Sequence, residues 1–296
     1  MSQTVEQFID ADAVEIERIS TIDAESFYRQ YMRSKKPVVI TDTMQEWPAM
    51  QKWSLSFFKT LVPEDPSMYA EVGDIVLDPS SRFQQVEFGK YVDDLMEGRG
   101  TRDSKHIAYL ADFNIFQNFP ALQEDVDFGL ITSNTVKTRI NGWIGPENTV
   151  ASYHADLADN LFAQVQGRKL VKLVSPKHNR MMYPSKKFDA GSVLSSVDVD
   201  DYDTETYPLF DESKSQYTVL GPGELLYIPY GWWHYIRALT PSISINCFGW
   251  GVKGMLVDLP LKSLRKQLHA LNLYGMNGCT CHMMKDGKRV SRAMNY

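Results

Sequence analysis

A mainly β chain with helical decorations is expected here, its core a compact barrel or sandwich of jelly-roll type. From about residue 107 to 250, short apolar or alternating runs follow one another, separated by Gly, Pro, Asn and Asp. Segments with apolar residues at helical spacing lie before and after that stretch. No repeat, low-complexity tract or linker divides the chain. It therefore reads as an N-terminal helical and β segment (1–106) packed on a β core (107–251), followed by a C-terminal helical tail (252–296).

Residues 20–35 (STIDAESFYRQYMRSK) read as a helix capped by Ser20 or Thr21, with acidic residues in its first turn. Lys36-Pro37 stops it, because the residue before a proline avoids helical backbone angles, and PVVIT follows as a strand. Residues 54–62 (SLSFFKTLV) form a second short helix, with Pro63 beyond. Residues 85–98 (QVEFGKYVDDLMEG) look helical, ended by Gly98 and Gly100. The β runs are HIAYLA, TRINGWIG, NLFAQVQ, KLVKLVS, SQYTVL, ELLYIP, WHYIRAL and SISINCFGW. Gly167-Arg168 separates two of them as a tight turn would. After Gly251, LVDLPLKSLRKQLHALNLYGM returns to helical spacing. That tail fits either packing on its own barrel or a homodimer.

The 296 residues are 43% hydrophobic and 12% aromatic, enough for a substantial core. A formal net charge of -6 argues against nucleic acid as the main partner, since phosphate backbones favour basic surfaces. It fits a small-molecule or peptide substrate and mildly favours a cationic one. Three cysteines, Cys247, Cys279 and Cys281, make no disulfide framework. Met1–Glu17 has neither the basic start nor the apolar run of a signal peptide. No stretch approaches the roughly 20 apolar residues of a membrane span. A cytoplasmic protein without a membrane partner is the expectation.

His154-Ala155-Asp156 places an imidazole and a carboxylate at i and i+2, which share one face of a strand. The best third ligand is His234 in GWWHYI, at the start of another β run after the Pro229-Tyr230-Gly231 turn. Two histidines and one carboxylate on one face of an octahedron are the ligand set of non-heme iron(II) oxygenases, with the remaining positions open. The HxD tripeptide alone is common, and a lone histidine is more often packed or exposed than metal-bound.

Three segments go further: NGWIGPENTVASYHADLADNLFAQVQGRKLVKLVSP, YPLF with the acidic stretch before it, and GPGELLYIPYGWWHYIRAL. With the upstream KKPVVITDTMQEWPAMQKWSLSFF, they make the stretch from Tyr109 to Trp250 resemble the cupin-like Jumonji-C family of 2-oxoglutarate oxygenases. YLADFNIFQNFPAL and WHYIRAL look most like its arginyl-hydroxylase branch, and LFAQVQGRK is similar to the asparaginyl hydroxylases. The resemblance implies a double-stranded β-helix core and a catalytic Fe(II) held by His154, Asp156 and His234. It also implies 2-oxoglutarate as cosubstrate and O2 as oxidant. In the family register, Lys169 pairs with the distal carboxylate of 2-oxoglutarate and Tyr109 hydrogen-bonds the same group. Asn160 and Asn246 stand at amide positions beside cosubstrate and metal. Ser244 and Asn246 alternate with Ile243, Ile245 and Cys247, giving that strand one polar face. Three residues before the first metal histidine, relatives commonly carry Ser or Thr; this chain has Ala151, then Ser152. Either Ser152 substitutes after a small backbone shift, or Tyr109 and Lys169 suffice.

For the substrate, Glu71 in YAEVGD matches an acidic pocket residue of the arginyl-hydroxylase branch, and Asn141 and Trp143 are expected to line the pocket. The leading expectation is hydroxylation of a C–H bond in a protein or peptide side chain, a basic one favoured. Alternatives are hydroxylation of a free amino acid or small metabolite, N-methyl demethylation, and a non-catalytic metal-binding cupin. The acidic SVDVDDYDTE (196–205) lacks the spacing and glycine of a calcium loop and reads as a solvated loop. Cys279-Thr280-Cys281-His282 is a weak metal signal, and a tail with no role is the expectation there.

Overall fold

Alternating and continuously apolar runs both become strands, and which kind a run is depends on how many of its faces are covered. The computed structural model describes residues 5–61, 67–74, 76–77, 81–99, 108–285 and 288–291. Its strands in chain order are β1 (Val14–Glu15), β2 (Arg18–Ile19), β3 (Val38–Ile40), β4 (Ser67–Val72), β5 (Arg82–Glu87), β6 (Ala108–Phe113), β7 (Lys137–Gly145), β8 (Val150–Asp156) and β9 (Asp159–Gln166). There follow β10 (Lys169–Val174), β11 (Ser192–Leu194), β12 (Gln216–Leu220), β13 (Glu224–Ile228), β14 (Trp233–Ala238), β15 (Ser242–Trp250), β16 (His282–Lys285) and β17 (Lys288–Ser291). They form a six-stranded sheet, β1-β12-β10-β14-β8-β11, a nine-stranded sheet, β2-β3-β13-β9-β15-β7-β6-β4-β5, and a terminal β16-β17 hairpin. The mainly β, jelly-roll expectation therefore holds.

Val39, Phe162, Val171, Leu173, Leu220, Leu226 and Ile228 join residues of both sheets in one buried cluster. A larger core, including Phe27, Trp47, Phe58, Phe88 and Phe113, joins the nine-stranded sheet to the N-terminal helices. Burying one such ring fully stabilises by about 1.5–3 kcal/mol. β15 is buried along its whole length and β9 along all but its last residue, so neither alternates strictly. The segment before residue 107 is woven into both sheets: β1 pairs with β12, and β3 with β13.

Several elements differ from expectation. The first helix runs Ala24–Phe27 and loosens into a π turn, Tyr28–Met32. Its cap is Asp23, whose Oδ1 accepts from the Ser26 N–H at 2.9 Å, not Ser20 or Thr21. The helix Leu55–Thr60 is capped by Ser54, whose hydroxyl accepts from the Phe57 N–H at 3.1 Å. Gln85–Glu87 is not helical: it pairs with β4, and the helix begins only at Phe88. Val62, Gly100, His106 and Ile107, at the edges of predicted elements, lie outside the described residues.

Gly167-Arg168 is no hairpin turn, because β9 and β10 belong to different sheets and the link crosses between them. Gly167 has φ +79°, and a Cβ there would sit 2.2 Å from the Pro241 carbonyl oxygen. Only glycine fits. The C-terminal helix Leu259–Ala270 meets the barrel through Leu259, packed against the Phe248–Trp250 cluster, while Leu261 and Leu264 on it and Leu256, Leu271 and Leu273 beside it are 43–70% exposed. No helix among the described residues is long and apolar enough to cross a membrane.

Candidate metal centre

β8 and β14 are antiparallel neighbours, and their register sets His234 directly opposite His154. Asp156 follows on β8, two residues on and back to the same face. The imidazole rings lie 4.1 Å apart, centroid to centroid. Asp156 is 4.0 Å from His154 Nε2 and 3.6 Å from His234 Nε2. One donor atom from each residue lies within 4.8 Å of the other two, so the three sequence-predicted ligands do converge.

Both histidines are held by the other ring nitrogen. His154 Nδ1 is 2.8 Å from the Ser152 carbonyl and His234 Nδ1 is 3.1 Å from that of Trp232. A carbonyl only accepts, so each Nδ1 carries the proton and each Nε2 turns a lone pair towards Asp156. Burial, reinforced by the neighbouring His154 imidazole, pulls His234 down to about 4, keeping it neutral and ligand-competent. Burial works to raise the Asp156 carboxyl, but His234, His154 and the Ser192 hydroxyl outweigh it and hold the group ionised. Ser192 Oγ donates to Asp156 Oδ1 at 2.7 Å across the β11–β8 pairing. The donor set fits a divalent metal of the iron(II) type, with its open side towards a cavity.

That cavity, about 550 Å³, lies between the sheets and is lined by the triad with Lys169, Tyr109, Asn160, Asn246 and Trp143. Lys169 is 1% exposed. Its Nζ donates to Ser244 Oγ at 2.7 Å and to the Tyr109 hydroxyl at 3.1 Å, with no carboxylate in ion-pair range among the described residues. Burial alone pulls this amine down to about 7. A buried cation without an anion is costly, and a carboxylate-bearing ligand in the cavity would supply the missing charge. Burial keeps the Tyr109 hydroxyl protonated, so it has a proton to donate. Asn160 and Asn246 each leave a buried side-chain oxygen without a partner, a further sign of a site built for a ligand. Tyr109 reaches this position because Gly145 has no Cβ; one there would stand 2.5 Å from the tyrosine ring.

Ser152 is a correction. Against β14, β8 carries an extra residue between Ala151 and His154, and this bulge breaks the alternation. Ala151 lines the cavity, whereas the Ser152 hydroxyl donates to Asp74. Asn141 is a second correction: its amide donates to Asp112 Oδ1 at 2.5 Å, and Asp112, not Asn141, lines the cavity. Glu71 does line it, at the rung opposite Tyr109. Trp143 also lines it, its ring 6.1 Å from Phe248.

Sequence reasoning misses Asp112, Arg139, Asp189 and Ser192. Arg139 Nη2 donates to Asp112 Oδ1 at 3.3 Å, and both face the cavity. Arg139 alternates with Asn141 and Trp143 along TRINGWIG, a signal the strand does carry; the other three lie in or beside irregular segments. Beyond the Glu71–Tyr109 wall is a second cleft of about 950 Å³, lined by Asp74, Lys172, Asp200, Glu212 and Arg237, with no triad residue.

A family model described as a cupin-like domain matches residues 24–249. The chain is 35% identical over 237 residues to "Lysine-specific demethylase 8" of Xenopus tropicalis, covering 76% of this chain and 50% of that protein. It is 32% identical over 239 residues to "Lysine-specific demethylase JMJ30" of Arabidopsis thaliana, covering 79% and 54%. It is 26% identical over 254 residues to human "Bifunctional peptidase and (3S)-lysyl hydroxylase JMJD7", covering 74% and 79%. The chain thus spans about half the length of the Xenopus and Arabidopsis relatives it matches.

Proposed function

Because this chain belongs to the cupin-like Jumonji-C family of iron(II)- and 2-oxoglutarate-dependent oxygenases, we propose that it hydroxylates a C–H bond in a protein or peptide side chain, a basic one above all. The observation that carries the oxygenase reading is one cavity holding both the His154–Asp156–His234 set and Lys169, a buried cation with no carboxylate partner among the described residues.

Iron(II), with 2-oxoglutarate and O2, supplies the oxidising power for C–H cleavage, and the cosubstrate leaves as succinate and CO2. His154 and His234 offer Nε2 lone pairs, and Asp156 is aimed by Ser192. Lys169, with the Tyr109 and Ser244 hydroxyls, receives the distal carboxylate of the cosubstrate. Trp143, Phe248 and Trp250 form apolar wall around the reacting position and exclude water. Glu71, Asp112 and Asp189 are carboxylates on the same wall, suited to an ammonium or guanidinium group. Relatives whose names specify lysine support the same substrate class.

Three relatives are named demethylases, which favours a second reading. Hydroxylation of an N-methyl carbon gives a carbinol that releases formaldehyde, whereas hydroxylation of a chain carbon leaves a stable gain of one oxygen. A peptide and metabolite screen by mass spectrometry, with iron and 2-oxoglutarate supplied, separates the two. Succinate formation is expected with the wild type and lost by more than about 100-fold in Asp156→Ala. Equal turnover in both would overturn the oxygenase reading.

A further inference from the structure

We infer that the C-terminal tail builds a second metal centre: a structural zinc ion held by His269 Nε2, Cys279 Sγ, Cys281 Sγ and His282 Nδ1. The helix Leu259–Ala270 carries His269, which is 1% exposed, and residues 271–278 turn the chain back so that Cys279–His282 lies beside it. The sequence shows only three of the four donors close together; the fold brings in the other.

His282 Nδ1 lies 3.3 Å from His269 Nε2, 3.4 Å from Cys279 Sγ and 3.2 Å from Cys281 Sγ. One donor atom from each of the four residues lies within 4.8 Å of all the others. Zinc bonds of about 2.0–2.1 Å to nitrogen and 2.3 Å to sulfur give a tetrahedron with edges of about 3.3–3.8 Å. The three separations, 3.2–3.4 Å, lie at or just under the short end of that range. Hydrogen bonding does not account for them, because one imidazole nitrogen has a single in-plane proton or lone pair and cannot serve three neighbours. His269 Nδ1 donates to the Tyr274 carbonyl at 2.8 Å, leaving the Nε2 lone pair directed at the cluster. Phe188 stacks on the His269 ring at 4.1 Å.

Two thiolates and two imidazoles form a closed, soft set that suits zinc. Binding releases the two thiol protons, and the dication with two thiolates leaves no net charge. With four protein donors no position stays open, so the role is structural. The centre lies beside the oxygenase cavity, which Thr280 and Cys281 help to line. Thr280 Oγ1 donates to Asp189 Oδ2 at 2.5 Å, and Asp189 Oδ1 accepts from the Ser192 N–H at 2.8 Å. Ser192 in turn donates to Asp156. Zinc thereby fastens the tail to the wall that orients a ligand of the first metal.

The test is the metal content of the purified full chain, by inductively coupled plasma mass spectrometry. About one zinc per chain is expected in the wild type and in Asp156→Ala, and none in Cys279→Ser/Cys281→Ser. In cobalt-reconstituted wild type, thiolate-to-cobalt charge transfer and strong tetrahedral absorption are expected. That spectrum decides the matter even if the double variant does not fold. A wild type without zinc and without the thiolate–cobalt bands overturns the proposal, as does a Cys279–Cys281 disulfide in the native protein. Zinc lost from Asp156→Ala but present in the wild type would assign it to the triad and overturn it too. Failure of the oxygenase reading would appear separately, as absent turnover with zinc still bound.

Discussion

Lys169 shows how one side chain couples fold, cosubstrate and pH. Its amine is pulled down to about 7 by burial, against an ordinary 10.5. The unfolded chain therefore holds this proton over a pH range in which the folded chain has lost it. The cost to folding is present in full below about 7 and is relieved as pH rises towards 10.5. Binding of a dianion runs the other way, because it needs the protonated amine. The affinity for 2-oxoglutarate is expected to fall by up to about tenfold per pH unit from pH 7 to 9, measured by calorimetry on iron-loaded protein. A flat profile would show that Lys169 does not take the carboxylate. Ser192 acts at one remove. Ser192→Ala frees Asp156 to rotate and should weaken iron binding by about 10–100-fold, read by metal titration with the fold intact by circular dichroism. An unchanged iron affinity would reduce Ser192 to a packing residue.

Strands and their links decide where such residues meet. The link Gly167-Arg168 carries the chain from one sheet to the other and starts β10 at Lys169. Gly167→Ala puts a Cβ 2.2 Å from the Pro241 carbonyl at φ +79°. It is expected to destabilise by about 1–3 kcal/mol in denaturant unfolding. Because Lys169 is two residues away, 2-oxoglutarate affinity should fall as well. Loss of stability with affinity unchanged would mean that β10 keeps its register despite the shift. The bulge in β8 is the other decisive link. Strict alternation brings Ser152 to the face of His154, and the extra residue instead turns Ala151 inward. A bulge has no dependable local signal in one sequence, so alternation alone puts Ser152 on the wrong face.

At the level of the whole molecule, the N-terminal segment is paired and packed into the β core. β3 covers the edge of β13, β1 that of β12, and Phe27, Trp47, Phe58 and Phe88 supply one side of the largest core. A fragment of residues 107–251 is expected not to fold alone; a dispersed amide NMR spectrum from it would show otherwise. Five tail leucines, Leu256, Leu261, Leu264, Leu271 and Leu273, are left 43–70% exposed. The chain is expected to sediment as a homodimer and Leu261→Glu/Leu264→Glu as a monomer; a monomeric wild type would remove the tail as an interface.

The order of residues alone carries what is local or motif-borne: the β core, the short helix from residue 54, and His154, Asp156 and His234. Strand periodicity and the chemistry of a ligand set survive in linear order, so one chain displays them. Asp112, Asp189 and Ser192 gain their roles only from contacts across strands and loops, and a bulge turns Ser152 away from the cosubstrate position. His269 joins Cys279, Cys281 and His282 because a helix and a turn fold back on each other. Contacts between residues distant in sequence depend on register and burial, which the packed sheets set and no short window contains.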